Sequence, residues 1–200
     1  MKVYLDNCST TKPREEVIDA MVHVLRDEYG NPSSLHRMGV NVEKNIEKIR
    51  NNIANYFKVN KDEIYFTSGG TESNNIAIQS IINKYNRIGN HIIATKIEHP
   101  SVLNVLKDYE EKGYEVTYLE IDNEGLISLE QLEKNIRKNT ILLCIMQVNN
   151  EIGSIQPIWE IKNILREKGS KALIHVDGVQ AFGKIHIDLA DWEIDTFSFS

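Results

Sequence analysis

Residues 140–177 read TILLCIMQVNNEIGSIQPIWEIKNILREKGSKALIHVD, and this stretch decides the fold. Thr140 to Val148 is a nearly continuous apolar run, the pattern of a strand covered on both faces. A polar loop follows, and Pro157 stands where a helix carrying Ile158, Ile161 and Leu165 begins, a position that suits a residue without an N–H. Lys171 to Val176 then reads as strand again. A buried strand, a helix and a second buried strand in this order predict a parallel pair joined by a crossover.

Working outward, the same alternation repeats. Toward the N-terminus, Glu63 to Thr67 reads as a strand, Ile78, Ile81, Ile82 and Tyr85 recur at helical spacing, and His91 to Thr95 reads as the next strand. Val102, Val105, Leu106 and Tyr109 mark a helix, and Glu115 to Ile121 a strand. Ser128 opens a further helix with Gln131 placed to complete a capping box, and Leu129, Leu132 and Ile136 form its buried face. Asp195 to Phe199 supplies the last strand. Two helices come before all of these, one striped by Val17, Ile18, Met21, Val22 and Leu25, the other by Val42, Ile46, Ile49, Ile53 and Phe57. The fold class is therefore α/β, a mostly parallel sheet with helices on both faces.

Composition narrows the function. The 200 residues are 41% hydrophobic and 26% charged, as expected of a folded globular chain. Lys and Arg number 23 against 29 Asp and Glu, a net charge of −6 that offers no field for a nucleic-acid backbone. No apolar run approaches the roughly 20 residues that span a bilayer, so no membrane habitat is expected. The opening residues, Met1 to Asp6, reach an acidic side chain before a signal-like segment can form, which places the protein in the cytoplasm. Cys8 and Cys144 are too few and too far apart for a disulfide framework or a metal-ligand spacing, so no metal site is expected. Cys144, inside an apolar strand, reads as a core residue; the Glu-Lys mixtures at 43–50 and 130–138 read as solvated helix faces.

In open parallel sheets ligands bind beyond the carboxyl ends of the strands. There the sequence places Thr67-Ser68-Gly69-Gly70-Thr71-Glu72-Ser73-Asn74-Asn75, a glycine-rich turn entering a helix, where free N–H groups and the helix dipole favour a phosphate. It matches neither the dinucleotide fingerprint nor a Walker lysine. Three further loops are polar: Glu98-His99-Pro100-Ser101, Val148-Asn149-Asn150-Glu151 and His175-Val176-Asp177-Gly178-Val179-Gln180. Asp177, ending a buried strand, calls for a cation or hydrogen-bond donors. A protonated pyridine nitrogen is such a cation.

These stretches, with Tyr4 to Thr11 and Asn31 to His36, resemble the NifS/IscS-like cysteine desulfurases, among the class V aminotransferase-like enzymes of the type I pyridoxal-phosphate fold. The resemblance covers the whole chain. It implies the large domain of an aspartate aminotransferase-like transferase, with 15–200 as an incomplete cofactor-binding domain and 1–14 a segment associated with a smaller domain. Residue by residue it implies that Gly70 and Thr71 hold the phosphate of pyridoxal 5'-phosphate, that His99 stacks on the ring and moves protons, and that Asp177 pairs with the ring nitrogen. Gln180 would bond the phenolic oxygen, Asn150 would lie beside cofactor and substrate carboxylate, and Ser200 would join the phosphate cup. His36 would lie near the site or serve as a structural loop histidine.

The implied activity is conversion of L-cysteine to L-alanine with the sulfur left as an enzyme persulfide, then passed to an iron–sulfur scaffold or thiolation protein, by a homodimer. The family pattern places the Schiff-base lysine, the carboxylate-binding arginine and the nucleophilic cysteine beyond Ser200, so the sequence is expected to be a truncated, N-terminal half. Lys96 and Lys184 match no family lysine, and Cys8 is not the family's sulfur carrier. Two alternatives share the same motifs: another class V enzyme, such as a selenocysteine lyase or an aminotransferase, and a catalytically inactive binding or dimerisation module.

Overall fold

The computed structural model describes residues 3–200; Met1 and Lys2, which open the N-terminal segment, lie outside the described residues. The chain forms two compact units, the first ending at Tyr65 and the second running from Phe66 to Ser200.

In the first unit the two apolar stripes become helices α1 (Glu15–Asp27) and α2 (Arg37–Phe57). His36 caps α2, its Nδ1 accepting the Gly39 N–H at 3.3 Å and satisfying one donor of the first turn. Ala54 and Phe57 are buried, whereas α1 buries no residue and leaves Met21 and Leu25 exposed.

One expected strand is absent. Lys61–Glu63 is a 3-10 turn, and residues 64–67 belong to no strand. The Glu63 carboxylate accepts the Asn60 N–H at 2.6 Å, which commits residue 63 to the turn. Tyr65 and Phe66 are exposed. Ile-Tyr-Phe-Thr has strand propensity, but propensity expresses packing against a neighbouring strand, and none of the five strands pairs with this segment.

The second unit follows the sequence reading closely. Its elements are α3 (Gly70–Tyr85), β1 (His91–Thr95), α4 (Pro100–Glu110), β2 (Glu115–Leu119), α5 (Leu129–Asn135), β3 (Thr140–Met146), α6 (Ile158–Glu167), β4 (Leu173–Asp177) and β5 (Thr196–Ser198). The five strands are all parallel, in the order β2-β1-β3-β4-β5. Alternate strand residues face opposite layers. Ile92, Ala94, Leu142 and Cys144 pack with Ile78 and Ile82 of α3 and Val102 and Leu106 of α4. Ile93, Leu143, Ile145, Ile174 and Val176 pack with Leu132 of α5 and Ile158, Ile161 and Leu165 of α6. Each fully buried Leu or Ile here contributes about 1.5–3 kcal/mol. Helices thus cover both faces of the sheet.

The capping box expected at Ser128 forms by half. Ser128 Oγ accepts the Gln131 N–H at 3.2 Å, but Gln131 Oε1 accepts the Glu120 N–H at 3.0 Å. The glutamine therefore ties the end of β2 to α5 instead of turning back on its own helix. Among the described residues no helix is long and apolar enough to cross a membrane.

The strand order reverses between β1 and β3, one leading to β2 and the other to β4. Crossovers leave in opposite directions at such a point, opening a crevice beyond the strand ends.

Candidate functional site

The register brings Met146, Asp177 and Ser198 side by side at the carboxyl edge of β3, β4 and β5. Asp177 is 5% exposed. Its Oδ1 accepts the Val179 N–H at 3.1 Å and its Oδ2 accepts from Asn74 Nδ2 at 2.7 Å. Among the described residues no Lys, Arg or His forms an ion pair with it. A buried carboxylate held by neutral donors alone still favours a cation beside it.

The glycine turn lies at this same edge. A Cβ on Gly70 would come 2.7 Å from Val179 Cγ2, so the start of α3 packs directly against the loop after Asp177. Gly178 is tighter still, since a Cβ there would meet the Phe197 ring. Ser73 Oγ bonds Ser198 Oγ at 2.8 Å, tying the first turn of α3 to the end of β5. The N-cap, Gly69, has no side chain to cap the helix, and the first helical backbone bond comes from Ser73 N–H to Gly69 O at 3.1 Å. The N–H groups of Gly70, Thr71 and Glu72 precede it, the donor set that helix starts offer to phosphate. Glu72 turns to accept the Ser68 N–H at 2.5 Å.

His99 caps α4 from the loop after β1. Its Nδ1 accepts the Ser101 N–H at 3.1 Å and bonds Ser101 Oγ at 2.8 Å. With Nδ1 accepting, the proton of the neutral ring lies on Nε2. His99 lines an open cleft of about 330 Å³ shared with Thr71, Asn75, Ser101, Asn104 and Asp108.

Behind His99 the Glu98 carboxyl is buried. Its Oε1 accepts from Thr95 Oγ1 at 2.6 Å and from the Met146 N–H at 2.9 Å, which pins the end of β1 to β3. Burial pushes its pKa up to about 8, partly opposed by these two bonds and reinforced by the Asp177 charge, so Glu98 is protonated at neutral pH. Asn149 spans the reversal point, donating to Ile97 O at 3.1 Å while its Oδ1 accepts the Glu151 and Ile152 N–H groups.

The other expected residues fall around this edge. Asn150 is half-buried next to Asn149. Gln180 is half-buried with its Oε1 accepting from Lys184 Nζ at 2.7 Å. Ser200 is exposed beyond β5, and Ser198 is the hydroxyl that reaches α3. Lys96 pairs with Glu120. Cys144 is buried, its thiol pKa pushed well up by desolvation, and Cys8 is exposed with its Sγ donating to Asp6 Oδ1 at 3.4 Å; neither forms a disulfide. Among the described residues no cluster of His, Cys, Asp and Glu could hold a metal ion.

Asn74, Ser101 and His175 were not singled out from sequence, although a signal was present. Stepping back four residues from Ile78 lands on Asn74, and four back from Val105 lands on Ser101. Both are polar residues on a buried helical stripe, where polar groups need a reason to be.

A pyridoxal phosphate fits what is here: an N–H cradle for its phosphate and, at the same edge, a buried carboxylate with no cation for its ring nitrogen. The comparisons agree in kind. The family model described as Aminotransferase class-V matches residues 3–200. The mitochondrial cysteine desulfurase of Candida albicans is 46% identical over 199 residues, covering 99% of this chain and 40% of the relative. The cysteine desulfurase IscS of Dictyoglomus turgidum is 43% identical, covering 100% of this chain and 50% of the relative. A solved structure described as a NifS-like protein superposes with a TM-score of 0.95 at 40% identity, covering 99% of this chain and 55% of that one. The chain spans about half the length of the curated relatives it matches.

Proposed function

Because the chain belongs to the aminotransferase class-V family, we propose that it forms the cofactor-binding part of a cysteine desulfurase. The observation that carries this reading is the buried Asp177 carboxylate, without a cationic partner among the described residues, at the sheet edge where α3 begins.

Bound there, pyridoxal phosphate supplies an electron sink for negative charge developing beside the amino group of an amino-acid substrate. The N–H groups of Gly70 and Thr71 hold its phosphate, with Ser200 completing the cup. Asp177 keeps the ring nitrogen protonated, which a carboxylate in low dielectric does far better than water. His99 would lie against the ring and would exchange protons at Nε2, the nitrogen left to donate once Nδ1 is engaged by Ser101. Gln180 donates to the phenolic oxygen through its amide N–H groups, and Asn150 contacts the substrate carboxylate.

The substrate on this reading is L-cysteine, and the sulfur passes from an enzyme persulfide to an acceptor protein serving iron–sulfur assembly or thiolation. The names of the curated relatives support that choice. The protein acts as a cytoplasmic homodimer, with 1–14 belonging to a smaller domain. Two cysteines outside any disulfide accord with a reducing compartment. The test is to add pyridoxal phosphate to the full-length protein, follow its visible absorbance, and assay sulfide and alanine from L-cysteine. A bound-cofactor band with stoichiometric alanine supports the reading; absence of both defeats it.

A further inference from the structure

Five buried or half-buried polar side chains under the site form one continuous run of hydrogen bonds that ends on the exposed His99. Thr196 Oγ1 bonds His175 Nδ1 at 2.9 Å, and His175 Nε2 bonds Asn74 Oδ1 at 3.1 Å. Asn74 Nδ2 donates to Asp177 Oδ2 at 2.7 Å and to Ser101 Oγ at 2.9 Å. Ser101 Oγ bonds His99 Nδ1 at 2.8 Å. Asn74 is 1% exposed and His175 fully buried.

The direction of the run follows from the Asp177 carboxylate, which only accepts. Asn74 must therefore turn its NH₂ toward Asp177, and the geometry gives Ser101 the second N–H of that group. Ser101 N–H donates to His99 Nδ1 at 3.1 Å, so that nitrogen carries no hydrogen, and Ser101 Oγ, accepting from Asn74, turns its own hydrogen to it. At the other end Asn74 Oδ1 accepts, so the His175 Nε2 carries the hydrogen and its Nδ1 accepts from Thr196. In this arrangement every donor of the run meets an acceptor. Flipping the Asn74 amide would set its oxygen against the Asp177 carboxylate. Burial holds the His175 pKa down at about 4, so its ring stays neutral and the run keeps its direction.

We propose that Asn74 is the positioning residue of this site: its single amide orients the Asp177 carboxylate and, through Ser101 Oγ, adds a second donor to His99 Nδ1 beside the Ser101 N–H, reinforcing the tautomer with the proton on Nε2. Among the described residues Asn74 hydrogen-bonds Ser101, Asp177 and His175, and it acts on His99 through Ser101. The proposal rests on the functional reading only in naming Asp177 and His99 as cofactor-facing residues, because the hydrogen-bond run stands without a cofactor. It places the coupling between the ring-nitrogen carboxylate and the proton-moving histidine in one residue at the start of α3, the same helix whose N–H groups face the phosphate.

The experiment uses the full-length protein labelled with 15N-histidine. In the unsubstituted protein the neutral His99 ring shows the Nε2–H pattern of 15N shifts. Asn74→Leu, similar in volume but without donors, is expected to move His99 toward a mixture of tautomers and to weaken pyridoxal phosphate binding by about 10-fold. Should Asn74→Leu fail to fold, Ser101→Ala and Ser101→Thr decide. Ala leaves the Asn74 to Asp177 bond in place, disturbs the His99 tautomer and changes cofactor affinity by only about 2-fold, while Thr restores the unsubstituted pattern. An unchanged His99 pattern in the folded Asn74→Leu protein, or in Ser101→Ala, overturns the proposal. A tautomer that responds as expected in a protein that never takes up pyridoxal phosphate upholds the run and defeats the functional reading instead.

Discussion

The sheet holds two buried histidines that serve different ends. His91 sits at the amino edge of β1, its Nδ1 bonded to Thr140 Oγ1 at 2.7 Å and its Nε2 to Thr117 Oγ1 at 2.9 Å. His175 sits in β4, bonded to Thr196 on one side and Asn74 on the other. Both are fully buried, and both have a pKa lowered to about 4 with desolvation as the main cause; at His91 the Arg137 charge adds to it. The His91 run closes on two hydroxyls and staples β1 to β2 and β3. The His175 run continues to Asp177 and to His99 at the surface. Burial and residue type do not separate a structural histidine from one that serves a site; the end of the chain of partners does.

The largest way to break this comparison is at the carboxylate itself. Asp177→Asn keeps the shape and removes the charge, and titration of the full-length protein with pyridoxal phosphate is expected to show a loss of affinity of about 100-fold. His91→Leu, at the other edge, is expected to leave that affinity within about 2-fold while lowering the unfolding temperature. Equal losses from both substitutions would contradict the division between the two edges.

Glu98 gives the next effect. Its folded pKa of about 8 lies above the ordinary carboxyl value of 4.5, so between these pH values the folded state binds more protons than the unfolded one. Stability from this group is complete below pH 4.5 and is lost as pH rises through 8. Glu98→Gln keeps an oxygen for Thr95 and Met146 and removes the titration. Relative to the unsubstituted protein, it is expected to gain on the order of 4 kcal/mol in urea unfolding between pH 5 and pH 9.

The histidines titrate with the opposite sign. Their folded pKa values near 4 lie below the ordinary imidazole value of 6.5, so the unfolded chain binds more protons between the two. Their stability is complete above pH 6.5 and is lost as pH falls toward 4, on the order of 1–2 kcal/mol per histidine between pH 6.5 and 5. Unfolding at a series of pH values in His91→Leu and His175→Leu should remove one share each from that slope. Among the smallest changes, Thr117→Val and Thr196→Val each remove one hydroxyl from a buried imidazole and should cost about 1 kcal/mol. Only Thr196→Val should also weaken pyridoxal phosphate binding, by about 2-fold, because only that hydroxyl lies on the run to Asp177.

Much of the second unit was legible in the sequence because its periodicities are strong. The apolar run of β3, the Pro157 start of α6 and the stripe Ile78, Ile81, Ile82 each admit one reading. Ile64 to Thr67 misled, since an extended apolar tetrapeptide looks the same with or without a partner strand. Gln131 misled in another way: a capping-box spacing was present, yet the Glu120 N–H offered its side-chain oxygen a competing donor. The loops of the site were legible as polar strand ends, and Asp177 as a carboxylate in need of a partner. Asn74 was overlooked: its place four residues before Ile78 on the buried stripe was a signal, but the partner that gives a polar group there its reason lies across the fold.

By itself the sequence determined the alternation of helix and strand, the parallel sheet and the set of polar strand ends, for these depend on local spacing and on which residues tolerate burial. Only the tertiary structure decided the strand order, and with it the reversal between β1 and β3. It alone brought residues 70, 74, 99, 101, 175, 177 and 198 to one edge, and it alone chose His175 over His91 as the histidine connected to the site. Hydrogen-bond runs join residues as much as 125 positions apart. No local pattern encodes such partners, because their distance is set by how the helices pack on the sheet and not by the chain between them.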